Sequence, residues 1–211
     1  MAIIFGVVSS LNRNRLSLSE PPESIELTPK TSVSPAPDPS PIGPRMNLPQ
    51  AAPQAYGFWS FSILEGGKVS RSGQPTLAEF KWLKDNGWRG IVNLRISDEY
   101  GETGDDAKIP GFNELGFNYL HLPIPDGGAP TGKQAETFLK FVTDPANQPV
   151  EVHCRGGYGR TGTMIALYRY EVDGWPILEA IDESRLYHGG ISSAQERWLL
   201  CWAVDHPRQG L

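Results

Sequence analysis

Val150-Glu151-Val152-His153-Cys154-Arg155-Gly156-Gly157-Tyr158-Gly159-Arg160-Thr161-Gly162 runs from a short alternating segment through a glycine-rich turn into a stretch without a helix breaker. Val150 to Val152 alternate as a strand does, and Thr163 to Tyr170 is mostly apolar, so the glycines fall between a strand and a helix N-terminus. That junction is a natural anion site. Backbone N–H groups from Arg155 to Arg160 can turn inward as a nest, and the helix dipole adds positive potential. Gly156, Gly157 and Gly159 allow the backbone angles and close approach that such a curl needs.

Cys154 would lie beneath those N–H groups. A free thiol is mostly protonated at neutral pH, and a helix N-terminus with nearby cations favours the reactive thiolate. Arg160 adds a planar fork of donors able to grip two oxygens of a phosphoryl group, with a charge that persists at any working pH. Thr161 can donate its hydroxyl to the sulfur, and His153 can brace the loop and favour the thiolate further.

These residues match the Cys-x5-Arg-Ser/Thr signature of the cysteine-dependent protein tyrosine phosphatase superfamily, which the chain resembles from about Phe58 onward. Within it the chain is most similar to small, atypical dual-specificity phosphatases. The string from His153 to Met164 carries the likeness, and Pro123-Ile124-Pro125-Asp126-Gly127-Gly128 resembles the general-acid loop of kinase-associated phosphatases. The resemblance implies that Cys154 attacks phosphorus to give a cysteinyl-phosphate. Asp126 would protonate the leaving group and then activate the hydrolytic water, and Thr161 would help the thiolate leave. Substrate phosphate would be bound by Arg155, Gly156, Gly157, Tyr158, Gly159 and Arg160, with His153 in support. No metal and no cofactor is implied.

The implied activity is that of a dual-specificity protein phosphatase acting on phosphotyrosine and on phosphoserine or phosphothreonine. Two alternatives stay open: a phosphatase for an inositol phosphate, a phospholipid or an RNA 5′-end, and a phosphate-binding module without turnover. Phosphoinositide phosphatases of the superfamily often place lysines in the loop, whereas here Arg155 is the one cation at a variable position. That favours phosphoprotein or small phosphate-ester substrates.

Several residues have plainer readings. Asp126-Gly127 is also an ordinary turn former. Asp98, Glu99, Glu102, Asp105 and Asp106 read as a solvated acidic loop rather than as part of the site. Cys201, among Trp198, Leu199, Leu200 and Trp202, reads as a packing thiol. His121 reads as a packed or edge histidine, His188 as a cap on helix carbonyls, and Arg185 as a helix-terminal cation. Gln195 resembles a position near the active loop in relatives, with a catalytic role disfavoured.

The surrounding pattern predicts a helix from the capping pair Thr76 and Glu79 to near Gly87, with Phe80 and Leu83 inward. Strands follow at Gly90 to Arg95 and Phe117 to Leu122. A second capping pair, Thr131 and Gln134, opens a helix with Ala135, Phe138, Leu139 and Val142 on one face. After the glycine loop come a helix to about Asp173, one opened by Pro176, and one from about Ser193 to Asp205. The expected fold class is α/β, a mostly parallel central sheet flanked by helices, occupying residues 57–211 as a catalytic domain. The active loop would open at the carboxyl end of a central strand.

Residues 1–56 read as a disordered Pro/Ser-rich arm, a tether with a possible partner through its spaced prolines. The apolar run Met1 to Val8 is too short to span a bilayer, so no stable membrane insertion is expected. A net charge of -5 argues against a nucleic-acid partner. Two cysteines in unlike settings suggest no disulfide framework, and a catalytic thiolate suits a reducing cytoplasm.

Overall fold

The computed structural model describes residues 58–208; the arm assigned to residues 1–56 lies outside them. In chain order the elements are β1 (Ser62–Ile63), β2 (Val69–Ser72), α1 (Leu77–Asp85), β3 (Gly90–Asn93), β4 (Asp98–Glu99), β5 (Glu102–Thr103), β6 (Asn118–His121), α2 (Gly132–Thr143), β7 (Val150–His153), α3 (Gly159–Glu171), α4 (Ile177–Arg185) and α5 (Ser193–Asp205). The main sheet has the order β1-β2-β7-β3-β6. β2, β7, β3 and β6 pair in parallel, and β1 closes one edge antiparallel to β2. This is the mostly parallel, helix-flanked sheet that the sequence predicts.

β7 is the middle strand, and every residue of β2, β3 and β7 is buried. A parallel strand covered on both faces sends alternate side chains into two different cores. Val150 and Val152 join Met164, Ile165 and Leu167 of α3, Phe138 of α2 and Leu199 of α5 in the larger core. On the other face Ile91 packs with Phe80, Trp82 and Leu83 of α1, Trp88 and Phe112. Met164, Ile165 and Leu167 are each almost wholly buried, which stabilises the fold by roughly 1.5–3 kcal/mol per side chain. α3 is therefore held as the backbone of the larger core, and its N-terminus is fixed directly after β7.

The capping boxes form as the sequence predicts. Thr76 caps α1 with Glu79, and Thr131 caps α2 with Gln134. A third box, Ser192 with Gln195, opens α5. β1 and β2 are absent from the expectation. The reason lies in β2 itself, Val69-Ser70-Arg71-Ser72, whose polar residues are all buried, so no apolar alternation announces a strand.

Candidate active site

Cys154 leaves the carboxyl end of β7, 3% exposed, and the N–H of Gly157 donates to its Sγ at 3.3 Å. Gly157 has φ +78, and a Cβ there would lie 2.5 Å from Gly73 N and 2.6 Å from Ser72 C, so only glycine lets the loop lie against the end of β2. α3 begins at Gly159, shortly after Cys154, and no side chain caps its N-terminus at Tyr158. Thr161 is buried with no hydrogen-bond partner for Oγ1 among the described residues.

Arg160, on the first turn of α3, is buried and held from two sides. Its Nη1 donates to the Ile124 carbonyl at 3.2 Å, and its Nη2 donates to Glu99 Oε1 at 2.5 Å. The same Nη2 lies 3.4 Å from Asp126 Oδ1. Asp126 is half exposed, at 55%, and its Oδ2 accepts a hydrogen bond from the Tyr100 hydroxyl at 2.6 Å. That bond to a carboxylate raises the Tyr100 pKa. The loop carrying Asp126 is a turn closed by Gly128 N–H on the Pro125 carbonyl. It is latched onto α5, where Ser192 Oγ donates to the Gly127 carbonyl at 2.9 Å and Gln195 Nε2 to the Gly128 carbonyl at 2.8 Å.

Cys154, Arg160 and Asp126 line one cavity of about 640 Å3, walled further by Trp59, Tyr158 and Gln195. The acidic segment is where the structure corrects the sequence reading. It is solvated only in part: Asp98 and Glu102 are exposed, but Glu99 and Asp106 are 2% and 1% exposed. β4 and β5 form a hairpin whose turn residues, Tyr100 and Gly101, both have positive φ, as a type I′ hairpin turn requires. The hairpin sets Glu99 on Arg160, Tyr100 on Asp126, and Glu102 on Arg155, whose Nη2 donates to Glu102 Oε1 at 3.3 Å. That contact raises the Arg155 pKa and lowers that of Glu102.

Behind the hairpin a chain of buried and partly buried polar groups leads back to His153, next to Cys154. Arg95 donates from Nε to Glu99 Oε2 at 2.8 Å and from Nη1 to Gln74 Oε1 at 2.9 Å. Gln74 Nε2 donates to Asp106 Oδ1, and His153 Nε2 donates to Asp106 Oδ2, both at 2.8 Å. His153 is held by Asp106 directly before the loop, with its Nδ1 3.3 Å from the Cys154 carbonyl oxygen.

A family model described as "DSP-PTPase phosphatase fused to NAD+ Kinase", PTP-NADK, matches residues 63–200. The chain belongs to the PTP-NADK family. That places it in the cysteine-dependent protein tyrosine phosphatase superfamily, among the atypical dual-specificity phosphatases. NAD kinase 2, chloroplastic, of Arabidopsis thaliana is 34% identical over 103 residues, covering 47% of this chain and 10% of the plant protein. Dual specificity protein phosphatase CDC14B of Mus musculus is 30% identical over 171 residues, covering 69% of this chain and 35% of that protein. The structure of Tk-PTP in its active form aligns with a TM-score of 0.52 at 26% identity, covering 67% of this chain and 94% of that one. The chain therefore spans about a tenth of the plant kinase and about a third of the mouse phosphatase.

Among the other residues of this PTP-NADK family member, Cys201 and His188 part from their sequence readings, whereas Arg185 in the last turn of α4 and His121 keep theirs. Cys201 is exposed, on the outer side of α5, while its neighbours Leu199 and Trp202 are buried; the apolar neighbours in sequence point elsewhere. His188 sits edge-on to Trp59 at 5.9 Å beside the cavity rather than on helix carbonyls. Arg185 is spent on Asp182 and Glu196. His121 Nε2 meets the Arg95 carbonyl at 2.8 Å and its ring stacks on Tyr119, as a packed edge residue would. Gln195, wholly buried, serves as the latch on the Asp126 loop. Glu99, Tyr100, Asp106, Arg95 and Arg71 were not singled out from sequence as parts of the site. For all but Arg71, which lies on β2, the available signal was position, since the segment after β3 opens at the same end of the sheet as Cys154. Among the described residues no helix is long and apolar enough to cross a membrane.

Proposed function

We propose that the protein is a dual-specificity protein phosphatase that hydrolyses phosphotyrosine and phosphoserine or phosphothreonine through a cysteinyl-phosphate. The observation that carries this reading is the constellation around one open cavity: Cys154 Sγ under the Gly157 N–H, with Arg160 and Asp126 3.4 Å apart at its wall. The Cys154 thiolate attacks phosphorus along the line opposite the leaving oxygen. Loop N–H groups and the Arg160 fork take up the charge on the equatorial oxygens. Protonated Asp126 gives its proton to the departing alkoxide or phenoxide, then receives one from the water that attacks the cysteinyl-phosphate. Thr161 Oγ1, with no hydrogen-bond partner among the described residues, supplies a proton donor to the sulfur as it leaves.

Arg155 supports a singly phosphorylated substrate. Its side chain pairs with Glu102 at 3.3 Å and lies 4.8 Å over the Tyr100 ring, contacts that a second phosphate would have to displace. A second reading, a phosphorylated nucleotide, is favoured by the matching family's description as fused to an NAD+ kinase. A reducing compartment such as the cytoplasm keeps Cys154 in its working form.

The test is hydrolysis of a generic aryl phosphate, followed by a panel of phosphopeptides, inositol phosphates, phospholipids and the product of NAD+ phosphorylation. Cys154→Ser is expected to abolish turnover. Asp126→Ala should cost about a hundredfold on alkyl phosphates and much less on activated aryl esters. Undiminished turnover by Cys154→Ser overturns the mechanism; an equal loss on both substrate types makes Asp126 structural.

A further inference from the structure

Arg71 is a charged side chain that the mechanism above does not use, yet it is 1% exposed and sits on β2 directly behind the phosphate loop. Its Nη2 donates to the Gly157 carbonyl at 2.6 Å, while Nε and Nη1 have no hydrogen-bond partner. Its guanidinium carbon lies 3.4 Å from the centroid of the Tyr187 ring, and Tyr187 is itself fixed by a hydrogen bond to Ser62 at 2.7 Å. A Cβ on Gly162 would lie 3.8 Å from Nη2, which places the fork between the loop and the first turn of α3.

A buried cation is costly unless an anion answers it. The charged and titratable groups around Arg71 are Glu183 on α4, Tyr187 beyond its end, Glu151 on β7 and Cys154 in the loop. Glu183 is taken by Arg169, with both carboxylate oxygens engaged. Glu151 accepts from Ser70 and lies on the opposite face of the sheet, because Arg71 is in register with Val152 and Glu151 alternates with it along β7. Among the described residues Arg71 has no carboxylate within ion-pair distance, and the remaining candidate for a counter-charge is the anion of the loop itself.

We propose that Arg71 is a positioning residue of the phosphate loop, tethering Gly157 and having as its counter-charge the anion the loop holds, the Cys154 thiolate and then the phosphoryl group. The two halves meet at Gly157, whose carbonyl is held by Arg71 while its N–H donates to Sγ. Lysine would keep the charge but lose the planar fork that both donates to Gly157 and stacks on Tyr187. The inference rests on the reading of Cys154 as nucleophile.

The experiment reads the rate of iodoacetamide alkylation against pH, with the label mapped to Cys154 by mass spectrometry because Cys201 is exposed. It is paired with kcat and KM on an aryl phosphate. In Arg71→Met the alkylation profile should move upward by about one pH unit, and kcat/KM should fall at least about tenfold. In Arg71→Lys the profile should stay near the parent's while kcat/KM still falls. A folded Arg71→Met protein with the parental alkylation profile overturns the proposal. Should that variant not fold, Arg71→Lys decides: a profile displaced by the full unit shows that charge is not what acts, and an unchanged kcat/KM removes the tether. Absence of turnover in a parent protein whose Cys154 alkylates normally would count against the phosphatase reading and leave the Arg71 measurement standing.

Discussion

At Glu99 one carboxylate serves two buried guanidinium groups, Oε1 accepting from Arg160 at 2.5 Å and Oε2 from Arg95 at 2.8 Å. Removing one member of such a set leaves uncompensated charge in the interior, at a cost of roughly 3–5 kcal/mol, far above what a surface pair is worth. Glu99→Gln keeps the shape and discards the charge. It should lower the urea midpoint by an amount equivalent to about 3 kcal/mol and raise KM, because Arg160 loses its anchor. A variant with parental midpoint and KM would show Glu99 to be idle. The contrast with Cys154 and Arg160 explains what could be read in advance. Those two lie within one turn of chain, so their spacing alone carries the chemistry. Glu99 acquires its role from a fold that brings residue 99 against residue 160, and a cluster of carboxylates in sequence looks the same whether water or arginine answers it.

The β4–β5 hairpin is the element that turns a bare phosphate loop into a walled site. Its backbone reverses at Tyr100 and Gly101, and its side chains reach Arg160, Asp126 and Arg155. Tyr100 donates to the carboxylate of Asp126, which orients the group proposed to carry the proton. Tyr100→Phe keeps the ring that Arg155 covers and removes the hydroxyl. Turnover on alkyl phosphates should change by about three- to tenfold while activated aryl esters change little, since a bond this exposed is worth less than a buried charged one. Equal rates on both substrates would mean that the bond does not bear on proton transfer. Helices were legible as elements because capping residues and apolar faces are local signals, as at Thr76 and Thr131. The hairpin and β2 were not, because each buries polar groups against partners from distant segments: Arg71 on Gly157, Glu99 on Arg160.

On the scale of the whole molecule, the sheet has two dry faces, and Glu151 lies in its middle strand with no exposure. Ser70 donates to its Oε2, Trp88 Nε1 donates to Ser70, and Oε1 has no partner. Burial pushes its pKa from 4.5 to about 7, against smaller opposing contributions from its hydrogen bonds, His153 and Arg71. A carboxyl whose folded value is raised holds its proton more tightly in the folded chain. Below about pH 4.5 both states keep that proton, so the stabilising contribution is complete; between there and about pH 7 the unfolded chain has released it and the folded chain has not. Stability from this group is therefore lost as pH rises through that window, by about 3 kcal/mol over the full range. Glu151→Gln mimics the neutral form at every pH. Compared with the parent by urea unfolding at pH 5 and pH 8, the variant should gain relative stability at the higher pH, where the parent must bury a carboxylate between two cores. Parallel curves for the two proteins would mean that Glu151 ionises in the folded sheet as readily as in water. The Ser70 and Trp88 bonds would then be stabilising a charge rather than a neutral acid.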